Sequence, residues 1–109
     1  MSKKYKTGTV GEIRFQQEML KMDFDVFANV CGQGPIDQVV VNPETGKCAY
    51  VDVKSISTPY YRGDNRKAIY FGNQLGHRNG IWYVGYVHSE DEFYFPEGFF
   101  ESLHSSSDS

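Results

Sequence analysis

The sequence predicts an α+β or α/β domain built on a mixed central sheet, with one helix at its N-terminal end. Three observations carry that expectation. Phe15, Met19 and Met22 recur at i, i+4 and i+7 near the start of the chain, a helical period. Short β-branched and aromatic runs follow, punctuated by Gly, Pro and Asn. The composition, 39% hydrophobic and 16% aromatic over 109 residues, is too apolar for a disordered chain. A chain of this length forms one domain and buries roughly two-thirds of the surface its unfolded form exposes. Residues 1–104 are read as that domain, and the Ser-rich residues 105–109 as a disordered tail.

Taken in order, the first helix is expected from Val10 to Met22. Thr9 serves as its N-cap, and Ile13 and Leu20 widen its apolar stripe. Val26–Val30 alternates as a strand, and Gly32-Gln33-Gly34-Pro35 then breaks the chain. Ile36–Asn42 is β-branched and apolar and reads as a second strand. Pro43-Glu44-Thr45-Gly46 has turn composition, and Cys48–Ser55 is the partner strand. Pro59–Arg66 is a polar loop bearing aromatics. Ala68–Phe71 is either a short strand or the entry to a short helix around residues 73–77. Ile81–His88 is a strong strand, Glu92–Phe95 returns beside it, and Phe99–Leu103 closes the domain as a helical turn. Phe99 and Phe100, adjacent in an end segment, are the candidate oligomer contact.

The formal net charge of −3 excludes a generally basic nucleic-acid coat. The charge is uneven, however. Residues 1–87 hold all eleven Lys and Arg against eight acids, net +3, and residues 88–109 hold six acids and no Lys or Arg. That acidic end reads as a solvated surface. Cys31 and Cys48 have no metal-ligand spacing, so reduced thiols are expected. Lys3, Lys4 and Lys6 are followed by no apolar segment that would make a signal peptide, and no apolar run approaches a membrane span. A soluble, intracellular protein of the cytoplasm is therefore expected, with no membrane partner.

The central hairpin carries the chemistry. If the turn at residues 43–46 closes it, Asn42 faces Lys47, and by the same register Asp37 faces Asp52. Opposite residues of an antiparallel pair project to one face, and Lys54 shares that face with Asp52 by period-two alternation. Three charged side chains then converge. Two opposed carboxylates repel without a counter-charge, which Lys54 supplies in part and a divalent cation would supply more fully. A slip of one residue in the register would disperse the group. Each acid taken singly reads as an ordinary surface residue. Glu12 also fits a capping box, Thr9-x-x-Glu12, which alone would justify a glutamate there.

Three segments together, Gly11-Glu12, Gly34-Pro35-Ile36-Asp37 and Val51-Asp52-Val53-Lys54-Ser55, resemble the PD-(D/E)XK nuclease superfamily. The likeness is strongest to small archaeal Holliday junction resolvases and to phage or intron-encoded endonucleases. It runs over residues 8–56, and Gly76–Val87 is similar to a later part of the same pattern. Proline stands at position 35, one residue earlier than that pattern has it. The resemblance implies a restriction-endonuclease-like core and a Mg²⁺-dependent endodeoxyribonuclease, with Mn²⁺ able to substitute. It makes Asp37 and Asp52 metal ligands, joined by the Val53 backbone carbonyl and by Glu12 through water. Lys54 becomes the lysine that positions the attacking water. Gln74 matches a later glutamine of some members.

DNA, branched or duplex, is the expected partner. Lys3, Lys4 and Lys6 are read as a mobile basic arm. Arg62, Arg66 and Lys67, interleaved with Tyr60 and Tyr61, together with Gln74 and Arg78, are candidate DNA contacts. Simple solvation explains a basic loop about as well. One site cuts one strand, so resolvase-like or double-strand cutting requires a homodimer or a higher homo-oligomer. The competing class is a non-catalytic nucleic-acid-binding module of the same fold.

Overall fold

A computed structural model of the chain describes residues 3–30, 34–56 and 71–104. The first helix, α1, spans Lys3–Lys21. It begins seven residues before the expected start: Lys3–Gly8 holds no proline, and each added residue gains a backbone bond once the nucleus exists, which offsets the cost of Gly8. Lys3, Lys4 and Lys6 therefore lie on a helix and not on an arm, and Thr9 lies within that helix and not at its cap. The buried line of α1 is Gly11, Phe15 and Met19, spaced by four. Ile13 and Leu20, expected to widen that stripe, point to solvent at 48% and 56% exposure.

The helix ends in a Schellman motif. Asp23 takes a left-handed φ of 67°, its N–H donates to Leu20 O, and the Phe24 N–H donates to Met19 O. Phe24, just beyond, is buried beside Met19 in the core, the apolar contact that accompanies this cap.

Strands β1 (Asp25–Ala28), β2 (Gln38–Val41) and β3 (Cys48–Ile56) form an antiparallel meander. The β2–β3 register pairs Gln38 with Val51 and Val41 with Cys48, which is the register expected from the turn. The Asn42 N–H donates to Lys47 O, and Gly46 turns the chain at a φ of 75°. Buried Asn42 locks this hairpin to the C-terminal helix: its side-chain N–H donates to Leu103 O, and its Oδ1 accepts from the Glu44 N–H.

The chain then crosses over to strand β5 (Ile81–Val87), which lies parallel to β3. Strands β4 (Gly76–Arg78) and β6 (Glu92–Tyr94) both pair antiparallel with β5, along its first and second halves respectively. The architecture is α+β: a six-stranded mixed sheet in the order β1-β2-β3-β5-β4, with β6 on β5 and α1 at the N-terminal end. No helix forms around residues 73–77. Gly72 and Gly76 take φ of 57° and 145°, and the chain turns there and enters β4. Residues 57–70, which include the whole of the expected loop Pro59–Arg66, lie outside the described residues, as do 1–2, 31–33 and 105–109.

Helix α1 and the short helix α2 (Phe99–His104) cover one sheet face. The core between them is built from Phe15, Met19, Val40, Val51, Val84, Phe99 and Leu103, each fully buried. Phe99 stacks on Phe95 and meets Trp82 edge-on, and Phe100 packs against the same cluster. Phe99 is thus a core residue, while Phe100 is partly buried against it. No helix among the described residues is long and apolar enough to cross a membrane.

Candidate active site

The site forms where β2 stops short of β3. Strand β2 begins at Gln38, opposite Val51, while β3 continues for five residues to Ile56. Asp37 sits at this notch. Its N–H donates to Val51 O, and its carboxylate accepts from the Val53 N–H at 3.2 Å. That side chain takes the place a β2 carbonyl would hold had the ladder continued. Gly34, at a φ of 85°, helps turn the chain into the notch.

Strand alternation sorts the residues beyond the notch. Val51 and Val53 are buried in the core, while Asp52 and Lys54 are partly exposed on the opposite face. The Lys54 Nζ lies 3.5 Å from Asp52 Oδ2. Burial pushes the Asp37 carboxyl up to about 6, and the Asp52 charge and a hydrogen bond with the Asp52 carboxyl add to that rise against the lowering effect of the Val53 N–H. Glu12, on the face of α1 turned toward the notch, is also raised, first by burial and then by the charge of Asp52. Glu12, Asp37, Asp52 and Lys54 therefore share one electrostatic neighbourhood. Among the described residues no three acids, histidines or cysteines are grouped as a direct metal cluster; Asp37 and Asp52 share a hydrogen bond, whereas Glu12 meets them through charge alone.

The place of Glu12 in α1 removes its capping role. It lies nine residues past the first helical residue, far beyond N3. Two contacts hold α1 there. A Cβ built on Gly11 would lie 1.9 Å from Ser55 Oγ, so only glycine lets the helix backbone come this close to β3. One residue on, the Glu12 carbonyl accepts from the side chain of Gln38 at 3.0 Å. A polar cleft of about 170 Å³ opens beside the acids, lined by Glu12, Gln16, Asn29, Gly34, Asp37 and Gln38.

The open face beyond Lys54 carries Tyr83, which stands opposite Asp52 in the parallel β3–β5 register. Its ring has the Lys54 ammonium at 5.6 Å and the Arg78 guanidinium at 4.3 Å. Arg78 also donates to the carbonyls of Gln74, Leu75 and Asn73, which closes the turn before β4. Gln74 is exposed on that turn. Of the other predicted DNA contacts, Lys3, Lys4 and Lys6 lie on the first turns of α1, and Arg62, Arg66 and Lys67 lie outside the described residues.

Sequence reasoning missed Tyr83, Gln38 and the pairing of Gly11 with Ser55. Tyr83 depends on a parallel register that no local turn specifies. Gln38 did leave a signal, a polar residue at an inward position of a valine-rich strand. Comparison with family models, with curated proteins and with solved structures finds no match for this chain.

Proposed function

We propose that this chain is a metal-dependent endonuclease that hydrolyses phosphodiester bonds in DNA. The observation that carries the reading is the Asp37–Asp52 carboxyl pair at the end of β2, with Lys54 3.5 Å from Asp52. The donor set fits Mg²⁺: two carboxylates with a single ammonium beside them are short of positive charge, and all the donors are hard oxygens. Asp37 and Asp52 would hold the ion, with the Val53 carbonyl adjacent and Glu12 reaching it through water. When bound, Mg²⁺ supplies Lewis acidity and lowers the pKa of its water.

The chain's own groups do the rest. Asp37 is oriented by the Val53 N–H, which commits one carboxylate oxygen, and the residue lines the cleft. Lys54, 41% exposed at its side chain, places a positive charge where a phosphoryl oxygen can reach it. Tyr83 lies against Lys54 and limits the directions its ammonium takes.

The test is a cleavage panel with Mg²⁺ on four-way junction, duplex and single-stranded DNA. Asp52→Ala and Lys54→Ala should each lower the rate on the cleaved substrate by about 10²-fold or more, while DNA binding and the melting transition persist. Undiminished cleavage by both variants rules the mechanism out. Sedimentation at assay concentration checks the dimer that two-strand cutting needs.

A further inference from the structure

Two polar side chains are buried among the described residues, Gln38 at 2% exposure and Asn42 at 4%. They differ in one respect. Both ends of the Asn42 amide are satisfied within the fold. Gln38 uses only its nitrogen, and its Oε1 is buried with no hydrogen-bond partner. The orientation of the amide is not arbitrary. A backbone carbonyl can only accept, so the NH₂ group must face Glu12 O and the oxygen is the atom left over. Gln38 is also buried, between Asp37 and Val39 and opposite Val51, where an apolar side chain would cost nothing in unmet hydrogen bonding. A fold selected for stability alone has no use for an amide here.

Its neighbours suggest the use. Gln38 follows Asp37 directly and reaches across to the backbone of Glu12, the acid that meets the pair through charge alone. On the preceding residue, Gly11 rests on Ser55, which follows Lys54 directly. Helix α1 is thus registered at two consecutive residues against the two strands that carry the site. Gln38 lines the same polar cleft as Glu12 and Asp37.

Building on the metal-site reading above, we propose that Gln38 is a positioning residue: its NH₂ sets the distance of Glu12 from the Asp37–Asp52 pair, and its Oε1 accepts from the water through which Glu12 reaches the cation. Gln38 itself touches neither the cation nor the substrate. A neighbour that orients a ligand in this way typically changes metal affinity by 10- to 100-fold when lost.

The experiment is Mn²⁺ titration by calorimetry on the wild type, Asp37→Asn, Gln38→Met, Gln38→Leu, Glu12→Gln and the Gln38→Met/Glu12→Gln double variant, with metal-free melting of each. Mn²⁺ spin-resonance spectra are recorded alongside. Both apolar variants at Gln38 should melt at or above the wild type without metal and bind Mn²⁺ about tenfold more weakly. The double variant should lose no more than the larger single loss, because both changes act through one carboxylate. Gln38→Met and Glu12→Gln should alter the Mn²⁺ spectrum alike. Unchanged affinity in Gln38→Met and Gln38→Leu overturns the inference, and so do additive losses. Lower metal-free melting in both apolar variants makes the amide a folding tie and also overturns it. In each of those cases the metal site itself stands, provided that Asp37→Asn weakens binding. Failure of the wild type to take up Mn²⁺ overturns both.

Discussion

Asp37 carries the clearest conflict between stability and chemistry in the molecule. Its carboxyl is raised from an ordinary 3.8 to about 6 by burial and by Asp52. A carboxyl whose folded pKa lies above its unfolded value binds more protons in the folded state between the two values. Its contribution to stability is therefore full below about 4 and is lost as the pH rises through about 6. The metal-free protein should melt at a higher temperature relative to Asp37→Asn at pH 4.5 than at pH 7, and a series of melts across that range checks this. Saturating Mn²⁺ should remove the disadvantage at pH 7. The turn at residues 43–46 fixes the pairing as far as Gln38–Val51, so the neighbourhood of Asp37 is legible in the sequence; the ladder ends there, however, and Asp37 lies just outside it with its N–H on Val51 O instead of pairing opposite Asp52. The role of Glu12 was ambiguous there. Its capping reading rested on Thr9 as the helix start, and the extension of α1 to Lys3 removed it. In the sequence Gln38 is one residue of an apolar strand, and its significance lies in a bond to a helix residue 26 positions away.

At the level of elements, the local pieces were readable and the non-local ones were not. The β2–β3 hairpin and the β5–β6 return join neighbours through short turns, β1 and β2 are joined by residues 29–37, and all follow the expected order. Strand β4 was hidden because two glycines at positive φ look in sequence like loop punctuation. The parallel β3–β5 pairing has no turn to announce it. It is supported by Gly85, opposite Lys54, where an added Cβ would lie 2.7 Å from the ring of Phe71 and 3.1 Å from Leu75. Gly85→Ala must push that ring aside and should destabilise the fold by about 1–3 kcal/mol, measured by denaturant unfolding. Trimming the obstruction in Gly85→Ala/Phe71→Leu should recover part of the loss. Close by, Arg14 pairs with Asp91 at 2.9 Å, and Tyr86 donates to the same carboxylate, so α1 is fastened to the β5–β6 turn as well as to the site. Asp91 is held below the usual carboxylate range, first by its hydrogen bond from Arg14.

For the whole molecule, the uneven charge is a statement about orientation. Among the described residues, the acids beyond residue 87 lie on the β5–β6 turn, on β6, on the segment after it and on α2, while Glu12, Asp37 and Asp52 account for three of the eight acids that precede them. Cations bound at those three would leave the first 87 residues more strongly basic than the net charge suggests. DNA affinity should therefore fall steeply with salt and should weaken less steeply in Lys3→Ala/Lys4→Ala/Lys6→Ala, as a fluorescence titration at several salt concentrations would report. The placing of the site along the chain has a different bearing, on synthesis. All four of its charged side chains lie within the first 54 residues, yet β3 is backed on its far edge by β5, which ends at Val87. A growing chain thus carries the acids and the lysine well before the strand that holds them in place, and pairing across such a separation is slow to form. If the site cuts as proposed, a nascent chain would gain that capacity only after β5 has been made and has paired with β3.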